Sequence, residues 1–245
     1  AFVPDDVNKV IYAASLAVDE LTERQQAAFR PLINRLEHVS VREISGKGLV
    51  EQASGRTDVQ VVLDPTLLLT SEEWDDALGN PKPVVQGKYV LTYFLGEHAA
   101  YSKLATAWGR EHGCKVVNIP YASGEHIDHH VFGDVRVYDA DPAEFVSLIK
   151  NAECVFTDSF HACVFSILNQ RQFFAVKRDH SDKMSSRIYT LFEHFGIEDR
   201  FVVTDDDVNA CGPIDYSGCR ERQLGLRASS LEYLKSALRL EGDVS

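Results

Sequence analysis

The sequence predicts an α/β fold built on mostly parallel sheets. Short apolar runs of strand type alternate with segments whose apolar residues recur at helical spacing. The connections between them are short, and residues suited to start or stop a helix stand at the joints. Strands joined in this way pair in parallel through right-handed crossovers, and the intervening helices cover both faces of the sheet.

The first unit is a strand over Lys9 to Ser15 and a helix over Leu21 to Leu36, with Phe29, Leu32, Ile33 and Leu36 on one face. Val39-Ser40-Val41-Arg42 reads as a second strand, Lys47 to Ala53 as a short helix, and Val59 to Leu63 as a third strand. Asp64-Pro65 ends that strand, because proline has no N–H to give to a ladder. Helix breakers then concentrate in Gly79 to Gly87, GNPKPVVQG, and a domain boundary is expected there.

Beyond it the alternation is regular, and this half reads as Rossmann-like. Strand Tyr89 to Leu95 precedes a helix with Tyr101, Leu104, Ala105 and Trp108 on one face, stopped by Gly113, and strand Lys115 to Ile119 follows. A weaker strand covers Val135 to Tyr138. Asp141-Pro142-Ala143-Glu144 then supplies a cap, a proline at the first helical position and a reciprocating glutamate. That helix buries Phe145, Leu148, Ile149 and Ala152. Cys154 to Phe156 is a buried strand, Ala162 to Leu168 a helix apolar nearly all round, and Gln172 to Val176 another strand. Ile188, Leu191, Phe192 and Phe195 mark a helix ended by Gly196, and a last helix covers about Arg220 to Leu238.

Composition narrows the function classes. With 245 residues the chain can hold one large domain or about two small ones. Asp and Glu outnumber Lys and Arg by 37 to 25, a formal charge of −12, so the basic footprint that nucleic acid needs is missing. Five cysteines without a Cys-x-x-Cys pair fit neither zinc nor a disulfide framework, and they read as reduced thiols of a cytoplasmic protein. No apolar run approaches the roughly 20 residues that span a bilayer, and the N-terminus does not read as a signal peptide. The chain starts at Ala1 and its one methionine is Met184, so a fragment lacking an upstream part is expected.

Chemistry is expected in the turn Thr157-Asp158-Ser159-Phe160-His161, between an apolar strand and an apolar helix. In open parallel sheets ligands gather beyond the carboxyl ends of the strands, where helix N-termini present unpaired N–H groups and partial positive charge. The Ser159 hydroxyl and those N–H groups suit an anion, and His161 can move a proton near neutral pH. A helix cap at Ser159 with a first-turn histidine accounts for the same residues equally well.

The wording of this segment, TDSFHACVFSI after DPAEFVSLIKNAECVF, resembles the polysaccharide pyruvyl transferase family. SVRE at Ser40 to Glu43, DPTLLL at Asp64 to Leu69 followed by Trp74, and YVLTYFLG at Tyr89 to Gly96 agree in the order that family has them. The resemblance runs from about Lys9 to the C-terminal helix. It departs at Ala162, where the family usually has glycine, and at Ser159-Phe160-His161, where many members have Arg-Leu-His.

The resemblance implies two Rossmann-like domains of GT-B type, the N-terminal one incomplete here by about a hundred residues. On that basis residues 1–80 are the C-terminal portion of the acceptor-side domain and 81–210 the donor-binding domain. Residues 211–245 are a tail and helix packing across the boundary. The implied activity is transfer of a pyruvyl group from phosphoenolpyruvate to sugar hydroxyls as a ketal, in bacterial surface-polysaccharide synthesis, with no cofactor and no metal. The implied partners are phosphoenolpyruvate and a glycan or lipid-linked sugar, which would bring peripheral membrane contact. The fragment alone is expected to be inactive.

By the same resemblance His161 is the proton donor to the enol carbon or a ligand of the phosphate, and Arg42 binds an anionic group. Arginine suits that duty because its planar fork takes two oxygens at once. An ion pair between Arg42 and a nearby Asp or Glu is the alternative. Asp158 would orient His161, act as base toward the acceptor hydroxyl, or cap the helix. Thr157 and Ser159 are placed with the substrate. Ser185-Ser186-Arg187 ahead of the Ile188 helix would complete a phosphate site or simply cap that helix. Lys177 and Arg178 would add positive charge at the strand end or stay solvated. His126, His129 and His130 have spacing that suits a metal on a helix, but Gly124 and Gly133 suggest a loop and no metal is expected. The rival readings are a nucleotide-sugar glycosyltransferase of GT-B type and a non-catalytic binding module of the same fold.

Overall fold

Two parallel sheets carry the fold. A computed structural model describes residues 3–4, 6–16, 18–96, 99–121, 132–177 and 186–240. The chain divides into two compact units: residues 1–68, 183–195 and 220–245, and residues 69–182 with 196–219.

In the first unit β1 (Val10–Ala14), β2 (His38–Val41) and β3 (Gln60–Val61) lie in that order, all parallel. Helix α1 (Glu23–Ile33) starts in a capping box, with the Gln25 amide donating to the Thr22 hydroxyl and the Gln25 side chain accepting from the Thr22 amide. Helix α2 (Ile44–Ser54) stops at Gly55, whose φ of 80° is the left-handed turn-off that glycine adopts without strain. The core is Val39, Val41, Val50 and Val59, with Ile33, Leu36 and Val61 packed against it.

Two expectations need correction here. The third strand is shorter than Val59 to Leu63, because only Gln60 and Val61 pair with β2 and the Leu63 amide donates instead to the Ser230 hydroxyl at 3.0 Å. Ser230 lies on the last helix (Ser217–Leu238), whose Ala237 O accepts from the Asn8 side chain at 2.8 Å. Ile33 of α1 and Leu36 just beyond it turn toward the core, but Phe29 and Leu32 of the helix remain 39% and 49% exposed. Among the described residues nothing buries that side of the helix.

In the second unit β4 (Tyr89–Tyr93), β5 (Lys115–Asn118), β6 (Val135–Arg136), β7 (Cys154–Thr157) and β8 (Gln172–Ala175) form a parallel sheet in the order β6-β5-β4-β7-β8. The connecting helices are α4 (Ala99–Glu111), α5 (Pro142–Lys150) and α6 (Phe160–Leu168). The predicted capping box at Asp141 and Glu144 is present. On α4, Leu104 and Ala105 are buried while Tyr101 and Trp108 pack against the core of Val90, Val116, Cys154, Phe156 and Phe174. Gly109 lets α4 close on the sheet, since a Cβ there would sit 3.1 Å from Val90 Cγ1 and 3.2 Å from Cys114 O. Eight of the nine α6 residues are buried, because the helix packs against both α5 and the sheet.

The division between units falls at Leu68 and Leu69, ahead of the Gly79 to Gly87 stretch. Helix α3 (Ser71–Ala77), which the sequence reading passed over, belongs to the second unit. Its Trp74 packs edge-on against Phe165 of α6 at 5.4 Å, and its Ser71 hydroxyl donates to the Asn169 side chain at 2.7 Å. Helix α7 (Ser186–Phe195) belongs to the first unit, where its Thr190 hydroxyl accepts from the Ile44 amide at 3.2 Å.

Candidate active site

Strand order marks the switch point in the second unit, the place where an open α/β sheet has its crevice. The chain leaves β4 to build β5 and β6 on one side and then returns to build β7 and β8 on the other, so β4 and β7 are neighbours whose onward connections diverge. Beyond the carboxyl ends of such a pair lies the usual ligand position of an open α/β sheet. The turn Thr157 to His161 occupies it, because β7 ends at Thr157 and α6 begins at Phe160.

Each side chain of the turn has a distinct environment. The Thr157 hydroxyl donates to Tyr93 O at 2.6 Å and accepts from the Ser159 amide at 3.0 Å. Asp158 accepts from the Leu95 amide through Oδ1 at 2.8 Å and from the Gly96 amide through Oδ2 at 3.1 Å. Ser159 is the N-cap of α6, its hydroxyl accepting from the Ala162 amide at a long 3.4 Å. These three residues are buried, whereas His161 is exposed, its ring edge-on to Phe160 with centroids 5.3 Å apart. Solvent, and hence a dissolved ligand, meets the turn at the imidazole. Lys177 stands close in the chain path, since the Val176 amide donates to Thr157 O at 2.9 Å, and it is half-buried.

The remaining candidates lie in the first unit. Arg42 follows β2, with its amide bonded to Ala14 O at 3.1 Å, and its Nη1 forms an ion pair with Asp64 Oδ2. The ion pair that the sequence left open is therefore present. Asp64 also accepts from the Thr66 amide at 2.9 Å and from the Thr66 hydroxyl. Burial alone would raise the Asp64 carboxyl, but the Thr66 bonds and the Arg42 charge outweigh it and hold the group below the usual carboxylate range.

The rest of SVRE shapes the end of β1. At the bulge between Ile11 and Ala14, Ala13 takes a φ of 53°, a left-handed conformation costly for a residue with a Cβ. The Ser40 hydroxyl bridges that bulge, accepting from the Ala13 amide at 3.0 Å and donating to Ile11 O at 3.1 Å. Glu43 is buried, and its Oε1 accepts from the Leu16 amide at 2.7 Å. Ser186 and Arg187 open α7 and are half-buried. The Ile44 to Thr190 bond brings their helix against the start of α2, two residues after Arg42.

Thus the second unit gathers Thr157, Asp158, Ser159, His161 and Lys177, and the first gathers Arg42, Ser186 and Arg187. Arg178, Ser185, His126, His129 and His130 lie outside the described residues. Among the described residues no group of three or more His, Cys, Asp or Glu is placed to hold a metal ion, and no helix is long and apolar enough to cross a membrane. Sequence reasoning missed Asp64 as the partner of Arg42, the two buried staples Ser40 and Glu43, and the Leu95 and Gly96 amides. Only Asp64 carried a local signal, the Asp-Pro-Thr turn in which an aspartate binds the amide two residues on.

Residues 1–180 match the family described as polysaccharide pyruvyl transferase. No curated protein matches the chain. Among solved structures it is similar to the Methanocaldococcus jannaschii UDP-GlcNAc 2-epimerase in complex with UDP-GlcNAc and UDP. That likeness has 11% identity and a TM-score of 0.47, and it covers 78% of this chain and 61% of that one. It is similar also to the glycotransferase of kitacinnamycin, at 13% identity and a TM-score of 0.42, with 91% of this chain and 68% of that one covered. The glycosyltransferase SnogD from Streptomyces nogalater shares 14% identity at a TM-score of 0.41, with 88% and 68% covered. At these identities and scores the likenesses assign no role to any residue. The chain spans 61% of the epimerase's length.

Proposed function

The chain belongs to the polysaccharide pyruvyl transferase family, and on that premise we propose that it takes part in transfer of a pyruvyl group from phosphoenolpyruvate to two hydroxyls of a sugar. The product is a ketal on a bacterial surface-polysaccharide precursor made in the cytoplasm, and a lipid-linked acceptor would bring the protein to the membrane surface. The observation that carries the reading is the exposed imidazole of His161 on the first turn of α6, at the crevice between β4 and β7.

The chemistry proceeds by proton transfer and addition. His161, protonated, gives its proton to the methylene carbon of phosphoenolpyruvate, which becomes the methyl group and leaves a cationic centre at the phosphate-bearing carbon. A sugar hydroxyl adds to that carbon and loses its proton to a base. A second hydroxyl then displaces phosphate, its proton leaving as the ketal closes. The phosphate is met by the N-terminal end of α6, where backbone N–H groups and the helix dipole favour negative charge, with Lys177 nearby in the chain path. Thr157 and Ser159 hold this turn. Within the first unit, Arg42, held by Asp64, and the α7 start at Ser186 and Arg187 are the candidates to bind an anionic group. The reaction as written uses no cofactor.

The test is incubation of the protein with a diol sugar acceptor and either phosphoenolpyruvate or nucleotide sugars. Phosphate release that depends on acceptor, with a ketal in the product, supports the proposal. Nucleotide release in its place assigns a glycosyltransferase. Calorimetric binding of phosphoenolpyruvate without turnover assigns a non-catalytic module.

A further inference from the structure

Strand pairing between β4 and β7 runs from Val90↔Cys154 to Tyr93↔Thr157 and stops there. Past that register the two chains diverge, one toward α4 and the other into α6, and the backbone groups of the β4 exit have no ladder to join. Two consecutive side chains of the β7 exit take over. The Thr157 hydroxyl donates to Tyr93 O, and the Asp158 carboxylate accepts from the Leu95 and Gly96 amides, one on each oxygen. Asp158 is 3% exposed, and its partners lie 63 and 62 residues away in sequence. Only a group that accepts on both oxygens fits two neighbouring N–H donors. An asparagine would turn an NH₂ toward one of them.

We propose that Asp158 is a positioning residue, whose ionised carboxylate pins the turn at Leu95 and Gly96 against the first turn of α6 and so fixes the wall of the crevice beside His161. The assignment rests on the reading of His161 as the group that meets phosphoenolpyruvate. With both oxygens engaged by backbone amides, Asp158 acts on the reaction through this turn and not as a base toward the acceptor hydroxyl.

The test compares isotope-labelled wild type with Asp158→Asn. Amide exchange at Leu95 and Gly96, the imidazole resonances of His161, and calorimetric titration with phosphoenolpyruvate are followed in each. The expected result is at least tenfold faster exchange at both amides, displaced His161 resonances and at least tenfold weaker binding, with the far-ultraviolet circular dichroism unchanged. Faster amide exchange with His161 resonances in place and binding within twofold of wild type would overturn the proposal. Should the variant fail to fold, the wild type decides by acid titration. The Leu95 and Gly96 amide protons and the His161 resonances must then move together with the Asp158 carboxyl carbon, and independent titration overturns the proposal. A wild type that binds no phosphoenolpyruvate removes the donor reading, while the amide and imidazole resonances still decide whether Asp158 positions the turn.

Discussion

Arg42 and Asp64 form an ion pair in the first unit across 22 residues of sequence, and the same carboxylate caps the turn that follows β3 through Thr66. The guanidinium proposed to meet an anionic substrate group is thereby held by a protein carboxylate. Its position depends on the integrity of the DPT turn.

Replacing Asp64 by asparagine is expected to cost up to about 3 kcal/mol at pH 7, because it removes the nearest countercharge of a largely buried guanidinium and leaves it the Glu43 carboxylate at 3.9 Å. The acid side of the stability curve checks the cause. The folded carboxyl lies below its unfolded value, so its contribution is complete above the unfolded pKa of about 3.9 and is lost as pH falls through the folded value. Urea unfolding from pH 7 to pH 3 should show wild-type stability falling more steeply below about pH 4 than that of Asp64→Asn. Parallel curves would remove Asp64 as the source.

For His161→Ala, turnover with phosphoenolpyruvate should fall by about 10²–10⁴-fold, the range of a lost general acid. The imidazole is exposed, so stability should change by less than about 0.5 kcal/mol. Near-wild-type turnover, measured as phosphate release, would take the proton-transfer role away from this residue.

Two glycines of α2 should respond in opposite directions to alanine. A Cβ at Gly46 would stand 3.1 Å from Glu43 Cγ and 3.2 Å from its Oε1, the oxygen that holds the Leu16 amide, so Gly46→Ala should destabilise by about 1–3 kcal/mol. At Gly48 nothing lies within 4 Å, and alanine should stabilise the helix by up to about 1 kcal/mol. Thermal unfolding of the two variants gives both signs in one experiment.

Burial pushes the His194 imidazole on α7 below its ordinary value, with Glu193 opposing weakly. The unfolded chain then binds the proton more readily than the folded one. The stability tied to His194 is complete above its unfolded pKa of about 6.5 and is lost as pH falls below it through the lower folded value. Urea midpoints at pH 7.5 and 5.5 should draw apart in wild type and stay closer together in His194→Gln. Equal separations would show that His194 does not carry the slope.

Much of the second unit is legible from residue types because each element announces itself locally. Cys154 to Phe156 is a continuous apolar run of strand type, Ala162 to Leu168 is apolar nearly all round as suits a doubly covered helix, and Asp141 with Glu144 writes a capping box. The turn at Thr157 to His161 could be placed because it joins two such segments. Helix α3 was harder to read, since its seven residues are mostly polar and its apolar anchor is Trp74 alone. The exposure of Phe29 and Leu32 could not be foreseen, because apolar spacing identifies a helix face without saying what lies opposite it.

The sequence by itself determined the alternation of strands and helices, the position of the His161 turn and, through its motifs, the family. All of these are properties of neighbouring residues or of short words in fixed order. Tertiary structure alone decided that Asp158 faces Leu95 and Gly96, that Arg42 faces Asp64, and that Ser40 and Glu43 brace the bulged end of β1. Parallel pairing sets which strand ends meet, and in parallel sheets those ends come from distant parts of the chain. Which buried carboxylate holds which backbone amide is therefore settled only when the strands have found their order.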